Sequence, residues 1–266
     1  MRKFAEFEYS KMKKIVLFIL PFIVPLVHAQ KSDIKNDTIK LDEVLLSAIR
    51  AKKKTPVAFT NITKGELESK NLGQDLPFLI DQMPSVVTTS DAGGGVGYTG
   101  IRVRGSDATR VNVTINGIPY NDAESQGTFW VNMPDFVSSV EDIQLQRGVG
   151  TSTNGSGSFG ASLNLKTLNP STKGYASTTN VIGSFGTRKH NVNVGSGINK
   201  NFYVEGRLSK ILSDGYIDRA SSDLSSFYIE TGYLNETTSV KAIVSGGTEK
   251  NINLGMALQK QLLMEI

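Results

Sequence analysis

The chain has 266 residues, enough for one large domain or two ordinary ones, and 39% of them are hydrophobic. This composition is typical of a folded protein and argues against an intrinsically disordered one. Of its 29 Lys and Arg and 25 Asp and Glu, five basic and two acidic residues lie within the first 14 positions. Residues after position 29 therefore carry a net charge of only about +1, which argues against nucleic acid as a partner.

The first residues have the pattern of a secretory signal peptide. Lys13 and Lys14 precede an uncharged, mostly apolar stretch, and Ala29 supplies a small residue for cleavage. A membrane-spanning helix needs about 20 apolar residues, so this shorter stretch favours a cleaved signal over a membrane anchor. We therefore expect residues 1–29 to be a signal peptide, with Met12 as the true start.

Residues 30–50 are expected to form a flexible N-terminal segment. Within it, Leu41, Val44, Leu45 and Ala48 recur at helical spacing. By periodicity alone, this pattern indicates a short amphipathic helix.

One helical pattern follows. Between Gly73 and Pro84, apolar residues recur at helical spacing, after Asp75 and with Pro77 in the first turn, as a helix start permits. These apolar residues are Leu76, Leu79, Ile80 and Met83. We expect the helix to end at Pro84.

Strand-like alternation then appears in three segments, 111–116, 143–146 and 161–166. The pair Asn116-Gly117 after the first of them is a strong turn signal. One helix and several half-buried strands predict a small α+β domain, to which we assign residues 51–168.

From residue 169 onward, segments of about ten residues alternate between apolar and polar positions. We expect about five strands within residues 169–250, and an atypical tail at 251–266 where the alternation is lost. The segments lie near 174–184, 187–197, 200–212, 223–235 and 238–249. Transmembrane β-strands have this length and period, although the strands of a soluble β-sandwich look similar.

Catalytic and nucleotide-binding sites find little support. Two spans match G-x-G-x-x-G, residues 95–100 and 155–160, but strand-like sequence follows both, where a dinucleotide site needs a helix. The chain has no cysteine, and His190 is its one histidine beyond the signal. We therefore expect no catalytic residues, no metal site and no cofactor, so the protein is not expected to be an enzyme.

Glycine-interrupted segments between residues 98 and 167 closely resemble the plug domain of TonB-dependent outer-membrane receptors. They are Tyr98–Gly105, Val111–Pro119, Val140–Gly148 and Asn154–Leu165. The resemblance implies a small α+β plug domain with a mixed sheet and short helices, followed by an incomplete antiparallel outer-membrane β-barrel. Because plugged transporters close with about 22 strands, five strands lead us to expect a truncated or frame-shifted receptor.

The resemblance also implies how the receptor would be coupled and assembled. A TonB box would pair with the periplasmic domain of TonB by strand addition; its residues are Leu41, Asp42, Glu43, Val44, Leu45, Leu46, Ser47 and Ala48. Residues that help to seat the plug against acidic groups of the barrel wall would be Arg102, Arg104, Gly105, Arg147 and Gly148. An alternative for the arginines is that they are simply exposed strand residues.

Ligand contacts would come from outward-facing plug loops, 90–99 and 120–130. The candidates are Tyr98, Tyr120, Asn121, Asp122, Gln126, Phe129 and Trp130. Aromatic and amide groups suit recognition of a chelate by stacking and hydrogen bonding. Phe129 and Trp130 have an equally weighted alternative, packing at the base of the loop.

The function implied by the resemblance is energised uptake of a scarce, bulky nutrient across the cell outer membrane, in contact with outer-membrane lipid. The ligand would be an iron–siderophore complex, haem, cobalamin or a glycan, and an iron complex is the commonest case. The alternative is a non-transporting plug remnant in the periplasm that binds only ligand or TonB.

Overall fold

The computed structural model describes residues 49–150, 158–235 and 238–251. All of them belong to the larger of two compact units of the chain, Asp37–Ile266. The predicted signal peptide, the predicted TonB box and the predicted tail beyond residue 251 lie outside the described residues. None of the helices in the described ranges has the length and hydrophobicity of a transmembrane segment.

Twelve strands and two short α-helices are found in the described part of the chain. The strands are β1 (Ala58–Thr63), β2 (Val86–Ser90), β3 (Thr99–Val103), β4 (Val111–Ile115), β5 (Ile118–Pro119), β6 (Val140–Arg147), β7 (Ala161–Thr167), β8 (Tyr175–Ile182), β9 (Arg188–Gly195), β10 (Phe202–Ser213), β11 (Ser222–Leu234) and β12 (Ser239–Asn251). The helices are α1 (Lys64–Lys70) and α2 (Leu76–Leu79).

Residues 49–167 form what we call the N-terminal domain, which contains a mixed sheet in the order β1-β6-β7-β4-β5. Strands β4 and β7 run parallel, and the other neighbours run antiparallel. Strands β2 and β3 form a separate two-stranded sheet. The predicted turn after β4 is present, with Asn116 and Gly117 both at positive φ (51° and 83°), the conformation that this residue pair tolerates best in a tight hairpin.

The predicted helix between Gly73 and Pro84 is wrong in length, because α2 has only four residues. Asp75 and Pro77 do begin it as expected. After Leu79, single turn bonds replace the helical ladder: the amide of Met83 donates to the carbonyl of Ile80 at 3.0 Å. The apolar residues of the predicted helix are nevertheless buried. Their spacing therefore predicted burial correctly, but it predicted the extent of the helix only in part.

The helix α1 has a start signal in the sequence that the periodicity did not reveal. The backbone N–H of Thr63 donates to the Glu66 carboxylate at 2.8 Å, as in a capping box. Four residues into the helix, Leu67 is buried in the hydrophobic core. A T-x-x-E pattern ahead of a buried leucine therefore marks this element.

The strands β6 and β7 are buried on both faces, whereas the sequence predicted half-buried strands. One face packs in the hydrophobic core through Ile143, Leu145, Leu163 and Leu165. The opposite face carries the buried polar residues Gln144, Gln146, Ser162 and Asn164. Residues 49–51 hydrogen-bond to β6 side chains on that polar face. This tertiary contact explains why the polar residues of the alternating pattern are buried and not exposed.

Strands β8 to β12 form a second sheet, which we call the wall. It is a continuous antiparallel meander in the order β12-β11-β10-β9-β8. Each of the five segments predicted after residue 169 coincides with one of these strands to within two residues at either end. Within the described residues β8 and β12 are the two edges, so the sheet is open, as the incomplete barrel expected from the sequence requires.

The two faces of the wall differ in chemistry. On β10, Leu208 is 65% exposed, whereas its neighbour Arg207 is 4% exposed. The same contrast separates exposed Ile229 from buried Glu230 on β11. At these positions the outer face of the wall is apolar, and the inner face, which meets the N-terminal domain, carries buried charged side chains.

Candidate functional site

The contact between the N-terminal domain and the wall is centred on Asp135, whose side chain is fully buried. Asp135 has a positive φ of 53°, in the left-handed region that Asp tolerates better than most residues. The turn that follows, Phe136–Ser139, places Phe136 and Val137 in the hydrophobic core. Core packing on one side of the turn thus holds the carboxylate toward the wall.

Wall residues surround this carboxylate. The ammonium group of Lys189 lies 2.6 Å from Oδ1, and Asn191 Nδ2 donates to Oδ2 at 2.5 Å. From β10, the Ser209 hydroxyl donates to Oδ2 at 2.7 Å, and the Arg207 guanidinium lies 3.6 Å from Oδ2. Arg207 also donates to the backbone carbonyl of Asp135.

The N-terminal domain supplies the remaining partners of Asp135. Ser138 donates to Oδ1 at 2.6 Å and Asn71 donates to it at 3.2 Å. Burial by itself raises the pKa of Asp135, but the positive charges of Lys189 and Arg207 outweigh burial and hold the pKa below its usual value. The carboxylate is therefore ionised. It connects the end of α1 and the turn 136–139 of the N-terminal domain to the strands β9 and β10 of the wall.

Sequence reasoning did not identify this contact. The alternation along β9 and β10 places Lys189 and Arg207 on the polar face of the wall. No local pattern marks Asp135, since a Pro-Asp pair between apolar residues is typical of an ordinary turn. Its partners on the wall are 54 to 74 positions away, so only the tertiary structure brings them together.

The predicted seating arginines lie elsewhere. Arg102 and Arg104 are exposed, and half-buried Arg147 donates to the Thr60 hydroxyl at 2.7 Å. Within the described ranges none of the three forms an ion pair with a carboxylate. The structure does bring two predicted positions together, because the Arg104 guanidinium lies 2.9 Å from where a side chain at Gly148 would begin.

Gly148 has a φ of 93°, so its backbone conformation and the covering arginine both favour glycine there. Gly105 also has a positive φ, of 78°. A role for these residues in seating against acidic groups of a barrel remains a prediction.

The residues predicted to contact ligand differ in their surroundings. Tyr120, Gln126 and Phe129 are exposed. Trp130 is 3% exposed and belongs to the hydrophobic core, which favours the alternative of packing at the base of the loop.

Two further candidates from that loop hold its shape. The Asn121 side chain accepts from the amide of Val113 at 2.7 Å and donates to the carbonyl of Val111 at 2.9 Å. Asp122 accepts from the amide of Ser125 at 2.7 Å, and this hydrogen bond lowers the pKa of Asp122. Both side chains therefore have structural partners within the N-terminal domain.

The loop 91–98 packs against the wall. The amide of Tyr216 donates to the carbonyl of Ala92 at 2.8 Å, and the Tyr98 hydroxyl donates to Glu249 at 3.4 Å. Burial, with the charge of Glu249, raises the pKa of Tyr98. Tyr98 therefore lies where the loop meets the end of β12.

Next to this loop is a second buried carboxylate, Asp75, at the start of α2. Its side chain accepts from the Thr99 hydroxyl at 2.9 Å, and its backbone amide donates to the carbonyl of Gly95 at 2.8 Å. Burial, reinforced by the negative charge of Glu249, raises the pKa of Asp75 to about 7. Across the described residues, no group of three or more Asp, Glu, His or Cys is arranged to hold a metal ion.

Residues 49–51, directly after the predicted TonB box, form what we call the arm. The carbonyl of Ile49 accepts from Gln146 at 2.8 Å. The amide of Ala51 donates to Gln144 at 2.7 Å, and its carbonyl accepts from Gln144 at 3.1 Å. Arg50 forms an ion pair with Asp142. Side chains of β6 thus hold the arm through its backbone groups and through Arg50.

Comparison with protein families gives a match to the TonB-dependent Receptor Plug Domain over residues 51–162. These residues are a TonB-dependent receptor plug domain. The resemblance inferred from the sequence is confirmed, and the matched range contains Asp135 and most of the N-terminal domain. We call that domain the plug domain from here on.

Solved structures of such receptors share the fold of both the plug domain and the wall. The copper transporter OprC matches with a TM-score of 0.64 at 14% identity, over 77% of this chain and 33% of its own. The siderophore receptor PirA from Acinetobacter baumannii matches with a TM-score of 0.59 at 18% identity, over 76% and 33%. The ferripyoverdine receptor of the Pseudomonas aeruginosa outer membrane matches with a TM-score of 0.61 at 16% identity, over 74% and 26%.

The chain thus spans about a third or less of the length of these structures. No curated protein sequence matches it significantly. At such identities the likeness concerns the fold: a plug domain followed by antiparallel strands that correspond to part of a receptor barrel. Within that fold, Asp135 is a plug residue, and Lys189 and Arg207 belong to the first wall strands.

Proposed function

We propose that this protein acts as a TonB-dependent outer-membrane receptor that takes up a scarce, bulky nutrient, in the first place an iron–siderophore complex. The observation that carries the proposal is the two-faced wall with the plug domain docked on its polar side through Asp135. An apolar outer face suits lipid and a polar inner face suits a wet lumen. The comparisons give no support to the alternative of a periplasmic remnant.

The ligand class is supported by the solved relatives and by the plug surface. Two of those relatives are named as siderophore or ferripyoverdine receptors and one as a copper transporter. In this chain, Tyr120, Gln126 and Phe129 offer exposed aromatic and amide groups, which suit stacking on a chelate and hydrogen bonding to it. Haem, cobalamin and glycans are the competing ligands to be tested alongside.

Energy coupling is assigned to residues 41–48. In this proposal they pair with the periplasmic domain of TonB by strand addition. The arm follows directly and is bonded to β6, so tension on residues 41–48 would reach the plug sheet through these contacts.

The proposal is tested by expressing the chain in an outer-membrane-bearing host and assaying location and uptake together. We expect the protein in the outer-membrane fraction, with heat-modifiable migration in gels, and uptake of radiolabelled iron–siderophore that stops when TonB is deleted. Haem, cobalamin and a glycan serve as parallel ligands. Recovery of folded protein only from the soluble periplasmic fraction would contradict the proposal.

A further inference from the structure

The loop 91–98 covers the buried carboxyl of Asp75, a group that the proposed transport function does not use. Asp75 is 5% exposed, and it accepts hydrogen bonds from the Thr99 hydroxyl and from the backbone N–H of Gly97. Its own backbone amide donates to the carbonyl of Gly95. Within the described ranges Asp75 forms no ion pair. Since the loop supplies two of these contacts, moving it away would expose the carboxyl to water.

The same loop joins the plug domain to the wall. The carbonyl of Ala92 accepts from the amide of Tyr216 at 2.8 Å. Val96 packs with Ile211 and Leu224 of the wall in a second, smaller hydrophobic cluster. Displacement of the loop would therefore break its contacts with the wall and uncover Asp75 in one step.

Across the described residues, the ionisable groups that act on Asp75 and its loop are acidic or neutral. Glu249 on β12 accepts from the Tyr98 hydroxyl at 3.4 Å, and its negative charge acts on Asp75. The next residue, Lys250, lies on the opposite face of that strand. The loop adds Asp91, which is exposed, and α2 has no ionisable side chain. Burial and the charge of Glu249 therefore raise the pKa of Asp75 to about 7.

We propose that protonated Asp75 keeps the loop 91–98 docked on the wall and that ionisation of Asp75 releases it. In the docked state an ionised carboxylate would be held without water beside Glu249, whereas opening of the loop returns it to water. The loop moves rather than α2, because the buried leucines of α2 belong to the main hydrophobic core. Tyr98, which is predicted to contact ligand, belongs to this loop, so the proton on Asp75 would also set where Tyr98 is presented.

The test is amide hydrogen exchange of the full chain in detergent micelles from pH 5 to pH 8, followed by mass spectrometry and corrected for the intrinsic exchange rate at each pH. Peptides that contain residues 91–98 and 214–221 report the loop and its partner on the wall. We expect their protection to fall by at least about tenfold over this range, because the docked state binds an extra proton only below about pH 7. At every pH it should stay below the protection of β6 and β7, as local opening requires.

Two substitutions act on the proposed switch itself. Asp75→Asn should keep the loop protected at pH 8, since Asn cannot ionise but can still accept from the Thr99 hydroxyl. Glu249→Gln should preserve the fall in protection but end it at a lower pH, because it removes the negative charge that helps to raise the pKa of Asp75.

The matched control is Asp91→Asn, at an exposed carboxylate of the same loop, which should retain the wild-type dependence on pH. The proposal is overturned if Asp75→Asn shows the wild-type fall in protection, or if the loop is as protected as β6 and β7 and opens only with them. Should Asp75→Asn fail to fold, a Glu249→Gln variant with the wild-type pH profile would overturn it as well. None of these outcomes depends on which ligand is transported.

Discussion

The Asp135 carboxylate is a buried charge whose partners come from both sides of an interface. Removing two opposite charges from water costs free energy that their attraction recovers only with good geometry, so such a pair is not in itself a sign of high stability. Removing one partner has a clearer consequence, because Lys189 and Arg207 would then remain buried without a counter-charge. The residue therefore governs how firmly the plug domain is held on the wall.

We predict that Asp135→Leu lowers the free energy of unfolding by about 3–5 kcal/mol. Asp135→Asn should cost less, since Asn keeps a hydrogen-bond acceptor and also tolerates the positive φ. The measurement is denaturant-induced unfolding of the full chain in detergent micelles, followed by fluorescence of Trp130, the one tryptophan of the chain and a buried one.

The control for this series is Asp122→Asn, at an exposed carboxylate that caps a local turn. It should change the stability by much less than Asp135→Leu. Equal effects of the Asp135 and Asp122 substitutions would show that the buried ion pair does not hold the interface.

From the buried Asp75 carboxyl we predict that stability changes with pH in the opposite direction from the change caused by a salt-bridged carboxylate. Its pKa is about 7 in the folded protein, whereas in the unfolded chain it is about 4. Between these values the folded state binds one more proton than the unfolded state, so stability falls as pH rises, by at most about 1.4 kcal/mol per pH unit. Above about pH 7 the contribution of Asp75 becomes constant.

Asp75→Asn should remove this slope, because Asn cannot ionise but can still accept from the Thr99 hydroxyl. We expect the variant to match the wild type near pH 4 and to exceed its stability at pH 8. Unfolding curves from pH 4 to pH 8 measure this, with exposed Asp91→Asn in the adjoining loop as the control. A variant that keeps the wild-type slope would refute the assignment.

Single residues also show where sequence reasoning reaches its limit. The spacing of Leu76, Leu79, Ile80 and Met83 predicted their burial correctly. The role of Asn121 could not be predicted, because its partners on β4 depend on how the loop folds back. Side-chain chemistry states what a residue can bind, whereas the fold decides which groups come within reach.

At the scale of elements, the arm is the segment through which tension on residues 41–48 would enter the plug domain. It is attached to β6 by hydrogen bonds of Gln144 and Gln146 and by the Arg50–Asp142 ion pair. Strand β6 lies between β1 and β7 in the sheet. The arm is therefore connected to an interior strand rather than to an edge.

We predict that Gln144→Ala loosens the arm, because two backbone groups of Ala51 lose their partner. A lost buried hydrogen bond leaves an unsatisfied group and costs about 1–3 kcal/mol, so opening of the arm should become at least about fivefold more frequent. Trypsin reports this opening as the rate of cleavage after Arg50, followed by mass spectrometry.

The matched control for the arm is Glu68→Gln, which removes the exposed ion pair with Lys64 on α1. It should leave cleavage after Arg50 unchanged. If Gln144→Ala were cut at the wild-type rate, the hydrogen bonds would not be what holds the arm.

Strands were predicted better than helices in this chain. Alternation is clearest in β10 and β11, where exposed apolar residues on one face alternate with buried residues on the other, so these strands carry the period-two signal. The helix α2 was predicted too long, because apolar residues in consecutive turns have nearly the same spacing as residues on one helix face. Burial alone does not distinguish these two conformations.

At the scale of the whole molecule, the coupling proposal makes a prediction outside the described residues. Leu45→Pro removes a backbone donor from residues 41–48 and restricts the residue before it. We expect this variant to lose capture by the purified periplasmic domain of TonB in a pull-down, while Leu45→Ala, which keeps the N–H group, is still captured. Equal capture of both variants would refute strand addition at this position.

The described interface between the plug domain and the wall is built around a plug carboxylate, and the seating of plug arginines against acidic groups of a barrel stays a prediction. The sequence led us to expect plug arginines facing acidic groups of the wall. The described residues contain the reverse arrangement, a plug carboxylate facing Lys189 and Arg207 of the wall. Wall carboxylates such as Glu230 are held within the wall itself, by Lys241, Tyr203 and Tyr228.

The amino-acid sequence by itself determined the family of the plug domain, the approximate number and positions of the wall strands, and which face of β10, β11 and β12 is polar. These properties follow from the local alternation of apolar and polar residues and from sequence motifs whose residues are close together in the chain. The tertiary structure alone decided that Asp135 meets Lys189 and Arg207, that the arm covers the polar face of β6 and β7, and that Trp130 belongs to the core. Each of these depends on contacts between distant positions, whose free energy arises only when the chain is folded and water is excluded between them.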